Sequence, residues 1–312
     1  MDRNTLGKTG LQVSRLSFGA SALGGVFRPV KESNGIRAVH AALASGINYF
    51  DVAPAYGGTR SETTLGKALG TIPRDSYVLS TKVGKQTDPH DYANNVFNYS
   101  AESIRSSLNA SAARLGTEYF DIIHLHDIEY QNDRNADWAL TEGLDTLHDL
   151  KHEGRIGAIG IGMYSIELWK RVLVNYDIDV ALIHNHYCLN DDLLLELLPI
   201  ADEHDVGVIN GSPFASGLLT DRGPADWHPA GKEERAIFAK TADYCRKQGT
   251  SISKLALQFA IGKNEISTTM FSSSDPKAVE QNIAWSTQPM DTELLNKVLE
   301  YLTPVHNQQW IY

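Results

Sequence analysis

Apolar positions along this chain follow two rhythms that take turns. Short, nearly continuous apolar runs of the kind that form buried strands alternate with longer stretches whose apolar residues recur every three or four positions, as on one face of a helix. The strand runs fall at 47–52, 77–82, 121–126, 156–161, 179–184, 207–211 and 266–271, and a first run near 16–19 brings their number to eight. Helical stretches at 33–45, 61–69, 101–114, 138–151, 166–174, 193–203, 233–247 and 277–284 are interleaved with them. Ahead of these units, residues 6–13 predict a hairpin that turns at Gly10 and is placed to plug the bottom of a barrel. Gly46, Gly154 and Gly207 stand at helix-to-strand boundaries and suit left-handed helix exits. No linker or composition break divides the chain. Eight such units predict one domain over 1–312: an α/β protein, a single (β/α)8 TIM barrel with an N-terminal β-hairpin, with a doubly wound sheet as the alternative. Gly19, Gly24 and Gly25 lack the Gly-x-Gly-x-x-Gly spacing and no Walker loop occurs, which removes the main support for that alternative.

Polar side chains break the pattern at strand ends. Asp51 closes one run, Lys82 the next and His126 a third, while Tyr56 follows Asp51 across the turn-like stretch Ala53, Pro54, Ala55. In a parallel barrel the C-terminal strand ends carry the chemistry. Alternation puts Asp51 and Tyr49 on the barrel axis with Phe50 and Val52 toward the helices, and Lys82 and Ser80 inward with Leu79 and Thr81 outward. A lysine and an aspartate on the axis are costly unless they pair, so a mutual ion pair is expected. A phenol beside an ammonium is a proton-transfer device, because the cation favours phenolate and draws the tyrosine pKa down from near ~10. The four groups together predict a reduction–oxidation site without a metal, in which His126 donates to a substrate oxygen.

Other polar residues have blander uses. His124 shares a strand face with His126, and His184 with His186, which raises a metal cluster as an alternative. No H-E-x-x-H arrangement accompanies them and a lysine beside a metal is unfavourable, so no metal is expected and His124 reads as a packed histidine. Ser61 reads as the cap of the second helix and Glu62 as a capping or scaffold carboxylate, with acceptance from an active-site backbone group or lysine as the alternative. Trp227, in the long stretch 217–230, and Trp310 suit either aromatic walls over the barrel mouth or packing.

Charge narrows the partner classes. With 28 basic and 38 acidic residues, a formal charge of -10 and no basic block, neither nucleic acid nor an anionic membrane is an expected partner. A small-molecule substrate is expected instead. Residues 1–10 are polar and no apolar run approaches the roughly 20 residues that cross a bilayer, so a cytoplasmic monomer or weak homodimer is expected. Cys188 and Cys245 are too few for a disulfide framework and imply no thiol chemistry.

The motifs carry a resemblance. Asp51-Val-Ala-Pro-Ala-Tyr56-Gly57 with Ser61-Glu62, then Thr81-Lys82, then Asp121-Ile-Ile-His-Leu-His126, and finally Glu280-Gln281-Asn282, resemble the aldo-keto reductase superfamily over essentially the whole chain. The resemblance implies an oxidoreductase in which Tyr56 is the proton donor or acceptor, Lys82 and Asp51 tune it, and His126 positions the substrate oxygen. His126-Asp127-Ile128-Glu129, Gly217-Leu-Leu-Thr220 and Gly223-Pro-Ala-Asp-Trp227-His228-Pro229-Ala230 are similar to the aldose-oxidising branch, the plant-type L-galactose dehydrogenases with the L-fucose and D-arabinose dehydrogenases. This implies a sugar substrate met by Tyr56, His126, Asp127 and Trp227. The runner-up is an NADPH-dependent reductase of aldehydes or small ketones that uses the same four groups, and their completeness argues against a vestigial interaction module.

By the same resemblance a dinucleotide lies along Gly162, Met163, His184, Ser212, Phe214, Ser272, Ser274, Ala278, Gln281 and Asn282. Gly162-Met163 stands where Ser-Asn usually holds the carboxamide, His184 replaces a glutamine and Gly211 replaces the tyrosine that stacks on nicotinamide, so another ring or backbone group has to support it. NADP-using members place basic residues where Ser272 and Ala278 occur. A 2′-phosphate here would lose charge-assisted hydrogen bonds and be repelled by Asp275 if that side chain turned inward, while Lys277 is expected toward solvent. NAD is the expected cofactor.

Overall fold

The computed structural model describes residues 1–88, 91–130 and 133–310. A hairpin of β1 (Arg3–Thr5) and β2 (Gln12–Ser14) comes first. It is followed by β3 (Leu16–Gly19), α1 (Glu32–Ala44), β4 (Tyr49–Asp51), α2 (Arg60–Leu69), β5 (Val78–Val83), β6 (Lys85–Asp88), β7 (Asp91–Phe97), α3 (Ala101–Leu115) and β8 (Phe120–His126). The second half runs α4 (Asp133–Trp138), α5 (Leu144–His152), β9 (Ile156–Met163), α6 (Ile166–Asn175), β10 (Val180–His184), α7 (Leu198–Glu203) and β11 (Gly207–Gly211). It ends with α8 (Lys232–Lys247), α9 (Ile252–Ala260), β12 (Thr268–Ser272), α10 (Pro276–Ser286) and α11 (Thr292–Leu302).

Eight strands close a parallel barrel in the order β3-β4-β5-β8-β9-β10-β11-β12, with β12 returning to β3, as the strand count in the sequence predicts. Both faces of these strands are buried, which is why their sequences are nearly continuous apolar runs. Phe18, Phe50, Leu79, Ile123, Ile159 and Ile183 pack outward against the helices. Tyr49, Val78, Ile122, Val180 and Ile209 fill the interior together with Leu6 and Val13 from the hairpin. Asn48 fastens that plug: it accepts from the Ser14 backbone N–H at 2.7 Å and donates to the Gln12 carbonyl at 2.7 Å. The N-terminal strand ends are thereby sealed, leaving the opposite end for the chemistry.

Several elements depart from the periodicity. The β6–β7 hairpin stands off the barrel, so its strands bear no continuous apolar run to announce them, and α9 and α11 also lie outside the predicted stretches. The predicted helix 138–151 starts earlier as α4, passes through a π turn at Ala139–Gly143 and continues as α5. The stretch 193–203 divides into a 3-10 turn at Leu193–Glu196 and α7. Ser61 does not cap α2. The cap position is Thr59, and the buried Ser61 hydroxyl donates to the Ala20 carbonyl at 2.9 Å, tying α2 to the exit of β3 instead of to its own N–H groups. Among the described residues no helix is long and apolar enough to cross a membrane.

Candidate active site

Asp51 ends β4, Lys82 lies one residue from the end of β5 and His126 ends β8, three strands that are neighbours in the barrel. Tyr56 comes from the turn between β4 and α2, where Gly57, Gly58 and Thr59 have φ values of 63, 57 and 68°. A β-carbon on Gly57 would stand 2.2 Å from the Gly24 carbonyl oxygen, so this turn nests against the β3 exit only as glycine. Lys82 and Asp51, each 1 % exposed, form an ion pair, and Lys82 Nζ also donates to the Val52 carbonyl at 2.9 Å. Ser80 Oγ donates to the other Asp51 oxygen at 2.7 Å and lies 3.0 Å from the Tyr49 hydroxyl. The ammonium stands 4.9 Å from the centroid of the Tyr56 ring, which the His126 ring meets edge-on at 5.7 Å. Thr81 faces away from the axis and donates to Glu62 Oε1 at 2.7 Å, while Arg114 Nε donates to Glu62 Oε2 at 2.6 Å. Glu62 is therefore a scaffold carboxylate that joins β5, α2 and α3.

Burial dominates the electrostatics. Tyr56 is pushed up to about 12, because burial, reinforced by Asp51 and Asp127, outweighs the pull of Lys82. This reverses the net direction expected for a phenol beside an ammonium; the ammonium does lower it, but its charge is already shared with Asp51. Burial works against the charged form of Lys82 as well, yet Asp51 and Tyr56 lift its pKa above the ordinary lysine value. His126 is neutral, taken down to about 3 by burial against the opposing pull of Asp127. His124 is pushed well below the usual range by burial, and then by Lys82 and His126. A β-carbon on Gly160 would stand 2.2 Å from His124 Nδ1, so β9 presents bare backbone to this packed imidazole.

The segment leaving β8 forms a wall beside His126. Asp127 has a left-handed backbone, φ 52°, fixed by its N–H donating to the Gly162 carbonyl at 2.8 Å and by Tyr99, whose hydroxyl donates to the His126 carbonyl at 2.7 Å. The Asp127 carboxylate lies 3.7 Å from His126 Nε2 and accepts from Lys85 Nζ at 2.5 Å. Burial opposes its charge, but His126 and Lys85 hold it down at about 2. Lys85 Nζ also lies 5.0 Å from the Tyr130 ring centroid and 5.8 Å from that of Phe97, two rings stacked at 12°. Glu129 accepts from the Tyr164 N–H at 2.6 Å with one oxygen; the other is buried without a partner among the described residues. Burial, with help from Asp127, raises Glu129 to about 8. The sequence pattern assigns no role to Lys85, Tyr99 or Glu129. Lys85 opens the unannounced hairpin, and its one signal is a second lysine three residues after Lys82.

Aromatic and imidazole candidates separate. Trp227 is 47 % exposed, donates through Nε1 to the Val26 carbonyl at 3.0 Å and lies 5.9 Å from Phe27, so the stretch 217–230 reaches across to the loop after β3. Trp310 is buried against His228 and Phe238 and donates to Glu234, which is a packing role. His186 is held between Asp191 at 3.1 Å and the Tyr164 carbonyl at 2.8 Å. Among the described residues no three His, Cys, Asp or Glu side chains gather as a metal site.

Of the residues proposed for a dinucleotide, Gly162 lies beside Lys82 and Leu182. Gly162 and Gly211 leave the inner faces of β9 and β11 bare on either side of Leu182. A β-carbon on Gly162 would meet Leu182 at 3.4 Å and Lys82 Cε at 3.7 Å, and one on Gly211 would meet the Ile183 carbonyl at 3.3 Å and Leu182 at 3.6 Å. A flat ring can lie on this shelf beside Lys82, with His184 and Ser212, 3.2 Å apart, at its edge as polar partners for a carboxamide. The Met163 side chain lies elsewhere, in the core between barrel and helices, and Phe214 is partly buried against that core. At the far end Ser272 Oγ accepts from the Ala22 N–H at 2.9 Å, Ser274 and Asn282 are buried, Ala278 is half-buried, and Lys277 and Gln281 are exposed. Asp275 turns its carboxylate to the Lys277 N–H at 3.0 Å as the cap of α10.

Comparison with known proteins reaches the same place. The aldo/keto reductase family pattern matches residues 15–302. The chain is 40 % identical to an L-galactose dehydrogenase of Arabidopsis thaliana over 99 % of its own length and 97 % of the relative's. It is 28 % identical to a D-threo-aldose 1-dehydrogenase of a Pseudomonas species over 89 % and 90 %. A solved aldo-keto reductase from Bacillus halodurans, in its holo form, superposes with a TM-score of 0.78 at 26 % identity, covering 97 % of this chain and 96 % of that one. Barrel and relatives agree, and the chain is an oxidoreductase that belongs to the aldo/keto reductase family, whose chemistry runs on nicotinamide dinucleotides.

Proposed function

We propose that the protein is an NAD-dependent aldose 1-dehydrogenase that oxidises the anomeric carbon of L-galactose, with L-fucose and D-arabinose as further substrates, to the aldonolactone. The observation that carries this reading is the 40 % identity to an L-galactose dehydrogenase along 99 % of the chain. A bound nicotinamide dinucleotide supplies the acceptor for the hydride that leaves C1. Tyr56, as general base, takes the proton of the C1 hydroxyl. Lys82, kept charged by Asp51, stabilises the phenolate, and a neutral His126 with its proton on Nε2 donates to the C1 oxygen. Charge that develops on that oxygen then meets groups already in position. Uncharged Ser272 and Ala278, with Asp275 committed to capping α10, support NAD over NADP.

A second reading is favoured by the Tyr56 phenol at about 12. A protonated tyrosine is a ready acid, which suits NADPH-dependent reduction of aldehydes or small ketones. Initial rates of lactone formation from L-galactose, L-fucose and D-arabinose, each with either dinucleotide, separate the two. The highest kcat/KM is expected for L-galactose with NAD. No lactone from any of the three, with NADPH-dependent turnover of simple aldehydes in its place, overturns the sugar reading.

A further inference from the structure

Lys85 takes no part in the proton-transfer set, yet it is built into the site. Its ammonium meets Asp127 at 2.5 Å, and Asp127 in turn stands 3.7 Å from His126 Nε2, the group that faces the C1 oxygen. The pair is neither sealed nor loose: the side chains are 15 % and 21 % exposed, so part of it is open to solvent beside His126. Asp127 is held in the left-handed region at φ 52°, uncommon for a residue with a β-carbon, by bonds to its own and the preceding peptide. Backbone strain of this kind persists where the surroundings over-determine it, and it gathers at functional sites. In the same wall Glu129 Oε2 is buried and has no hydrogen-bond partner among the described residues.

The chemistry of the wall selects a ligand class. A carboxylate offers acceptors only and an ammonium donors only. A hydroxyl does both, so two hydroxyls on adjacent carbons can donate to Asp127 and accept from Lys85 at once. The stacked Phe97 and Tyr130 rings beside the ammonium supply apolar surface for the C–H edge of such a diol. Because Asp127 neighbours His126, the diol in reach is the one next to the reacting carbon. We propose that the Lys85–Asp127 pair is a diol-reading subsite that selects substrates with vicinal hydroxyls at C2 and C3. The proposal rests on the aldose reading for its substrate class and adds which part of the sugar is read. A substrate without these hydroxyls brings apolar surface against a largely desolvated ion pair, and sites built to bond a hydroxyl reject analogues that lack it.

The test measures reduction of glyceraldehyde, which carries the diol, and of propanal, which does not, by the full chain, alongside oxidation of L-galactose. Wild-type kcat/KM is expected to favour glyceraldehyde by about tenfold or more, and Lys85→Met to lower that ratio by about tenfold, mainly through KM, the size of one charge-assisted bond. Lys85→Arg is expected to restore most of the ratio. A wild-type ratio near one, or a ratio that Lys85→Met leaves unchanged, overturns the proposal and reduces the pair to a strut that fastens the β6–β7 hairpin. The wild-type comparison needs no variant, so the proposal can still fail if Lys85→Met does not fold. Loss of the ratio in Lys85→Met without any L-galactose oxidation by the wild type refutes the sugar reading while supporting the subsite.

Discussion

Tyr56 stands between opposing neighbours. Lys82 pulls its proton off, while burial, Asp51 and Asp127 hold it on and place the phenol at about 12. A base must lose its proton to work, so the active fraction grows with pH everywhere below that value. Aldose oxidation is therefore expected to rise by up to about tenfold per pH unit from neutrality into the alkaline range, while carbonyl reduction, which needs the protonated phenol, stays flat. His126 adds no step there, being neutral down to about 3. Profiles of kcat/KM against pH in both directions check this, and a bell centred near neutrality would contradict it. Tyr56→Phe is expected to lower kcat by about 10²–10⁴ with dinucleotide affinity nearly intact; equal turnover in wild type and variant would remove Tyr56 from the mechanism. Asp51, Lys82 and His126 were legible because each interrupts an apolar run at a strand end, and Tyr56 because it follows Asp51 across the next turn. The direction of the Tyr56 shift was not, since it sums burial and charges delivered by other strands.

At the scale of elements, the proposed choice of dinucleotide rests on the junction between β12 and α10. Asp275 caps α10, Ser272 is engaged by the turn after β3, and Lys277 points to solvent, so the segment offers hydrogen bonds but no inward positive charge. NAD is expected to bind at least about tenfold tighter than NADP, about 1.4 kcal/mol. Titration of both oxidised dinucleotides at matched ionic strength decides it, and tighter binding of NADP would promote the reductase reading. Regular alternation made the barrel units readable, and α1, α2, α3, α6, α8 and α10 lie where the periodicity predicts. The β6–β7 hairpin, which carries Lys85 and Phe97, was not readable, because a ribbon standing off the barrel needs no apolar face. That is why half of the wall beside His126 escaped the sequence.

On the scale of the whole molecule, stability and chemistry sit at opposite ends of one barrel. Leu6 and Val13 seal the N-terminal strand ends, while Tyr56, Lys82 and His126 occupy the other. Leu6→Ala is expected to cost about 2–5 kcal/mol in denaturant unfolding. At temperatures where the variant stays folded, its kcat/KM should remain close to wild type; a loss of activity matching the loss of stability would show that the two ends are coupled. By itself the sequence determined the architecture and the four polar groups, because strand periodicity is local and a charged residue on a barrel axis is conspicuous against its apolar neighbours. Only the tertiary structure decided that Ser61 serves β3 and not its own helix, that Met163 packs in the core between barrel and helices, and that Lys85 closes on Asp127. Each of these depends on which groups distant in sequence become neighbours, and on how far water is excluded from them, and neither quantity is encoded in the local pattern.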